Sequence, residues 1–225
     1  MRFLWIAAFL GCAFGPDTNP REIVRQAVLN DRTGGAGIAR LYSFTESTRT
    51  ENLDDKGHVR SVSSRTREMR MADFQRRRER FQRSMQEIPD AFDFRLVGEE
   101  MVRSRPAYVI EAIPHPGYQP VDRYSKLFTQ VKGRLWIDKG DFRWARIEAE
   151  LLDTVSFGWI LLRIHAGSRV VLTEMREADG VWLPERTWYR VSARVGLVKF
   201  TQVASEMVYS RYTLAQEDPH PAPNP

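Results

Sequence analysis

Residues 133 to 151, Gly-Arg-Leu-Trp-Ile-Asp-Lys-Gly-Asp-Phe-Arg-Trp-Ala-Arg-Ile-Glu-Ala-Glu-Leu, alternate apolar and polar positions on both sides of an Asp138-Lys-Gly-Asp141 turn. Leu135 and Ile137 alternate with Arg134, Trp136 and Asp138, and Ala145, Ile147, Ala149 and Leu151 alternate with Arg146, Glu148 and Glu150. A period of two with a turn between predicts an antiparallel hairpin that is apolar on one face and charged on the other. Such a hairpin belongs to a sheet wet on one side and covering a core or a ligand with the other.

The same pattern continues in both directions. Tyr42, Phe44, Glu46 and Thr48 alternate with Ser43, Thr45 and Ser47, and Asp54-Asp-Lys-Gly57 turns the chain into a partner strand from His58 to Arg70. Strands are expected at 95–102 and 106–113 about an Arg103-Ser-Arg turn, then at 128–138, 142–153, 158–166, 168–177, 181–195 and 198–213, with Gly167, Asp179-Gly180 and Gly196 as punctuation. Pro114 to Pro120 reads as a rigid loop.

Two segments break the alternation. Asn19-Pro20-Arg21-Glu22 supplies an N-cap, a proline at the first helical position and an early acid, so a helix starts there, with Ile23, Val24, Ala27 and Val28 on one face and Gly34-Gly35-Ala36-Gly37 at its end. From Ala72 to Glu87 Phe74, Phe81 and Met85 recur at helical spacing on a basic rod, which Ile88-Pro89 is expected to terminate. The prediction is an α+β, mostly β domain: a meander of about ten strands with two helices.

The ends differ in kind. Arg2 precedes the apolar run Phe3 to Leu10, followed by small residues and Pro16, which reads as a secretory signal over residues 1–15. That run is far shorter than the ~20 residues a membrane-spanning helix needs. Cys12, the chain's one cysteine, permits two outcomes: lipidation at a lipobox-like Phe9-Leu10-Gly11-Cys12, or loss when a signal peptidase cuts near Ala13 or Gly15. Residues 16–213 are expected to form one domain, and 214–225 a proline-rich disordered tail.

At 225 residues with 42% hydrophobic and 28% charged content, the chain can bury a core of ordinary size. The formal net charge of +5 is matched by the excess between Arg65 and Arg83, where eight arginines stand against Glu68, Asp73 and Glu79. Arg76, Arg77, Arg78 and Arg80 are candidates for contact with anionic head groups or an acidic partner. Nucleic acid is not expected, since no module pattern accompanies these charges.

Catalytic motifs are missing. There is no Gly-x-Ser-x-Gly elbow, phosphate-cradling glycine loop or dinucleotide fingerprint, and His58, His115, His165 and His220 are scattered without ligand spacing. No enzyme activity, metal or cofactor is expected.

The block Gly133-Arg-Leu-Trp-Ile-Asp138 with Arg146-Ile-Glu148, preceded by Tyr108-Val-Ile-Glu-Ala and followed by Trp182-Leu-Pro-Glu-Arg186, resembles the outer-membrane lipoprotein sorting superfamily, the periplasmic carriers and outer-membrane receptors of the LolA and LolB type with related sigma-factor regulatory sensors. The resemblance implies a curved, unclosed half-barrel with helices over its concave face and an apolar cavity for lipid or the acyl chains of lipoproteins. By strand parity the cavity-lining candidates are Leu135, Ile137, Ile147, Leu151, Ile160, Leu162 and Ile164. It also implies a periplasmic location.

Overall fold

The structure is a computed structural model, and it describes residues 19–33, 41–157, 162–176, 180–196 and 199–214. The expected leader, Cys12 and the tail beyond Leu214 lie outside the described residues.

Helix α1 spans Pro20–Thr33. Asn19 caps it, its side-chain oxygen accepting from the Arg21 amide at 3.0 Å, and the burial of Ile23, Val24, Ala27 and Val28 fixes the face it turns to the sheet. Strands β1 (Tyr42–Leu53) and β2 (Val59–Arg70) form the first hairpin. Asp54 makes its turn by accepting from the amides of Lys56 and His58 at 2.9 and 2.8 Å, with Gly57 at φ 85°. Helix α2 (Met71–Ser84) follows directly, then a 3₁₀ turn at Met85–Glu87 and a short helix α3 (Ile88–Ala91). Ile88-Pro89 therefore does not end the helical segment. The proline sits in the first turn of α3, where its missing N–H costs nothing.

The remainder is strand: β3 (Phe92–Val102), β4 (Arg105–Pro114), a 3₁₀ turn at Ser125–Gln130, β5 (Val131–Asp138), β6 (Trp144–Leu151), β7 (Val155–Phe157), β8 (Leu162–Ile164), β9 (Arg169–Arg176), β10 (Trp182–Val195) and β11 (Lys199–Leu214). Where one strand was expected over 158–166, β8 occupies Leu162–Ile164 and pairs with β7, and 158–161 lie outside the described residues. All pairings are antiparallel, in the order β2-β1-β11-β10-β9-β6-β5-β4-β3, with the β7–β8 hairpin joined to β10 through β8. β2 and β3 each have a single neighbour, so the sheet of eleven strands is curved but not closed, an unclosed half-barrel.

Two details correct the simple alternation of the 133–151 hairpin. Its register shifts between Trp136 and Ile137, so that Ile137 faces Trp144. This bulge turns Trp144 to the helix side and sends Ala145 to the outer face, reversing the parity expected for Ala145. The outer face is also not uniformly wet, because Trp136, Ala107, Val109 and Ala145 form a small buried cluster there beside Val97 and Trp182. The Trp136 indole donates to Glu100 at 2.8 Å, and the Arg146 guanidinium lies over the same ring at 5.2 Å.

The hairpin ends are tied together by charge. Asp138, 1% exposed, accepts both prongs of the Arg105 guanidinium at 2.7 Å and the amides of Gly140 and Asp141 at 3.0 and 2.7 Å. Asp141 in turn accepts from Arg105 at 3.1 Å and from the Trp182 indole at 2.9 Å. Two carboxylates bridged by Arg105, Asp138 and Asp141, thereby join β4, the β5–β6 turn and the start of β10. Burial opposes the ionisation of Asp138, but the Arg105 fork and the turn amides outweigh that and hold it below the usual carboxylate range. The next turn, Arg103-Ser104, has φ of 47° and 62° at both central residues, the two-residue geometry that matches strand twist.

Removing Arg105 leaves Asp138 buried and unpaired, so Arg105→Ala is expected to cost about 3 kcal/mol in urea denaturation. Because the folded carboxyl titrates below its unfolded value of about 4, its contribution is present above that pH and lost as pH falls through the folded value. The wild type should therefore lose stability as pH falls below about 4, and Asp138→Asn should flatten that acid limb.

Candidate functional site

Register partners across an antiparallel pair point to the same face, so the strand pairings give the lining of the helix side directly. One row runs Leu96, Ile110, Leu135, Ile147, Leu172, Thr187, Met207, Thr48 and Arg65 across nine strands from β3 to β2. The next runs Phe94, Ala112, Gly133, Ala149, Val170, Tyr189, Ser205, Thr50 and Ser63. Both rows are apolar from β3 to β9 and turn to hydroxyl and charge at β1 and β2. An apolar ligand is thus favoured on the first side and excluded from the second by the cost of burying hydroxyls without partners.

Two separate helical covers sit on this face. α1 and α3 pack with Phe92, Ile110, Phe128, Leu135, Ile137 and Trp144 into one core. α2 begins the second, where Phe74 joins Phe44 and Tyr209 in a triangle of rings 5.5–5.7 Å apart, beside Met71, Met69 and Leu183. Below α2 on the β2 side, Glu46 is buried against the Arg67 guanidinium at 2.7 Å.

Between the covers lies a cavity of about 70 Å³. Ile147, Leu172 and Thr187 form its apolar floor, Trp144, Met85 and Asp31 are among its walls, and Arg146, Glu174 and Arg186 give its rim charge. Both walls are anchored. Asp31 faces the Arg143 guanidinium at 3.4 Å, and Arg143 also donates to the Asn30 carbonyl at 2.8 Å. Met85 is flanked by Ser84, which donates to Asp122 at 3.1 Å, and by Glu87, which accepts from the Tyr118 hydroxyl. Burial, reinforced by the Glu87 carboxylate, pushes Tyr118 up to about 12, so that bond keeps its proton throughout the physiological range. The floor continues beyond the cavity along half-buried Val170, Tyr189, Val191 and Val203.

The sequence-predicted lining residues divide. Leu135 and Ile137 are buried beneath α1, filled by the protein's own helix. Ile147 lines the cavity, Leu151 is buried opposite Val131 at the end of β6, and Leu162 and Ile164 stand half-buried on β8 opposite Val195 and Ala193. Ile160 lies outside the described residues. Leu172, Thr187, Trp144 and Met85 complete the site without having been predicted, and only for Leu172 and Met85 did periodicity offer a signal. Of the arginine candidates on α2, Arg76 and Arg77 are exposed, Arg76 paired with Asp73, and Arg78 and Arg80 share the helix.

No family model matches the chain, and no curated protein does. Solved structures are similar to it at low identity. A DUF1329 family protein from Desulfovibrio piger is 13% identical with a TM-score of 0.39, over 88% of this chain and 94% of that one. A LolA superfamily protein from Nitrosomonas europaea is 14% identical with a TM-score of 0.33, over 87% and 93%. A Pseudomonas aeruginosa MucA/MucB complex contributes a chain 10% identical with a TM-score of 0.25, over 87% and 99%. Likeness this remote leaves what the chain binds to be read from its own residues.

Those residues suit binding by burial. Among the described residues no cluster of His, Cys, Asp or Glu is placed to hold a metal ion, and no helix is long and apolar enough to cross a membrane. The division between packed floor and open floor is testable: Ile137→Ala should cost about 2–5 kcal/mol, and Leu172→Ala, only half-buried, about 1 kcal/mol, in parallel denaturation curves.

Proposed function

We propose that this chain is a non-enzymatic envelope protein that binds lipid, or the acyl chains of lipoproteins, along the helix face of its unclosed sheet, in a periplasmic setting and with a role in lipoprotein sorting. The observation that carries this reading is the apolar floor left uncovered between two separately anchored helical covers. The ligand lies along Ile147, Leu151, Leu172, Val170 and Tyr189, with Leu162 and Ile164 at the far end. Leu135 and Ile137 form the part of the floor that α1 occupies at rest. At about 0.8 kcal/mol for each buried methylene, six contacted carbons supply roughly 5 kcal/mol of gross driving force.

The resting cavity of about 70 Å³ is smaller than the ~150 Å³ that an engineered protein cavity needs to hold benzene. Binding therefore widens the gap between the covers, and α2, packed through Met71 and Phe74 at its first turn, is the cover that yields. Cys12, if acylated, would tether the chain to a membrane as a resident receptor; if removed with the leader, it would leave a free carrier.

A second reading, an envelope scaffold or sensor that meets a partner or anionic head groups through Arg76, Arg77, Arg78 and Arg80, is favoured by one observation. Arg76 and Arg77 stand exposed next to edge strand β2, itself exposed along most of its length.

An environment-sensitive fluorescent fatty acid titrated into the full chain separates these readings. Saturable binding is expected, weakened at least about tenfold by Leu172→Glu, a loss of roughly 1.4 kcal/mol, with the far-ultraviolet circular dichroism unchanged. Absence of saturable binding in the wild type would contradict the first reading and leave the second.

A further inference from the structure

At the end of the sheet where β10 turns into β11, the pairings place Arg163 of β8 directly opposite Arg194 of β10, and Arg194 opposite Phe200 of β11. Ser156 of β7 completes the row on the other side of Arg163. Both arginines are exposed, and among the described residues neither has a carboxylate within ion-pair distance. Like charges directly opposed across an antiparallel pair destabilise it.

Elsewhere several basic residues of this sheet are answered by acids. Arg134 meets Glu111 at 3.0 Å, Arg169 and Lys132 meet Glu150 at 3.0 and 3.8 Å, and Arg95 meets Glu111 at 2.5 Å. Even the second opposed pair, Arg190 with Arg169, is relieved by Glu150. Among the described residues no acid answers the charge of the Arg163–Arg194 pair.

On the same face as the two arginines, Phe200 is 48% exposed. The His165 ring packs against Phe200 with centroids 5.7 Å apart, which holds the phenyl ring at the surface beside the arginines. Unneutralised guanidinium groups next to a held aromatic ring at the end of a sheet match an anionic bilayer interface, where phosphates take the charge and the ring enters the acyl boundary. An acidic protein surface would answer the charge but not the exposed ring. The intervening residues 158–161 and 197–198 lie outside the described residues, and nothing here depends on them.

We propose that the Arg163–Arg194–Phe200 row is a docking surface for anionic phospholipid bilayers, distinct from the arginines of α2 and from the apolar floor. It does not depend on whether that floor holds an acyl chain.

The test is co-sedimentation of the full chain with phosphatidylcholine vesicles, with and without phosphatidylglycerol. The leader, if retained, carries Arg2 and is common to wild type and variants, so the reading is the part of the phosphatidylglycerol increment that the variants lose. A salt-sensitive increment is expected. Since each basic residue near an anionic surface contributes about fivefold, Arg194→Glu should lower the increment by about fivefold or more, and Phe200→Ser should lower it as well. The same Arg194→Glu places a carboxylate opposite Arg163, so its melting temperature should equal or exceed that of the wild type, which separates lost docking from lost folding. No increment in the wild type, with binding to acidic proteins instead, would overturn the proposal. So would an increment that Arg194→Glu leaves unchanged.

Discussion

The constraint on which the structure depends is that an antiparallel sheet with two free edges has one apolar face to bury and no closure with which to bury it. A closed barrel fills its interior with its own strands. Here β2 and β3 never meet, so the helix face has to be covered from outside. The chain does this with two short covers joined to opposite ends of the sheet: α1 and α3 over β3 to β6, and α2 over β1, β2 and β11. Each cover is fully packed at its own end. The strip between them, over β6, β9 and β10, is covered by neither. The candidate site is a consequence of this division.

Electrostatics fixes where the division falls. The Asp138 node locks β4, the β5–β6 turn and β10 together on one side. Arg143 holds the C-terminal end of α1, and Ser84 and Glu87, through Asp122 and Tyr118, hold the segment around Met85. The walls of the cavity are tied by hydrogen bonds and ion pairs, whereas α2 further from Ser84 rests on the apolar packing of Met71 and Phe74. An apolar guest that needs more room than the resting cavity has one direction in which to find it.

Much of this was legible in the chain. Period-two alternation placed the hairpins at 42–70, 92–114 and 131–151 close to their ends, because a face that is apolar on one side leaves little freedom of register. Asn19-Pro20 marked the start of α1 for the same reason that it caps it. What alternation could not show was the bulge at Trp136/Ile137, which reverses Ala145 and brings Trp144 inward, since a single extra residue leaves no mark in an apolar pattern. Nor could it show that Ile147 meets Leu172, or that Leu172 meets Thr187, because those neighbours are set by strand order and not by spacing. Leu135 and Ile137 were read as ligand-lining by parity; they share that face, but α1 already fills the space above them. The opposed pair Arg163 and Arg194 is invisible until the register of β8 on β10 is known.

In the proposed function an acyl chain enters between the covers and lies on β6, β9 and β10. Photo-crosslinking with a diazirine-bearing fatty acid, followed by peptide mapping, tests this directly. The account predicts adducts within 147–151, 170–172 and 187–191, with the outer-face cluster around Trp136 and Val109 unlabelled. Labelling confined to that outer cluster, or spread evenly over both faces of the sheet, would contradict it.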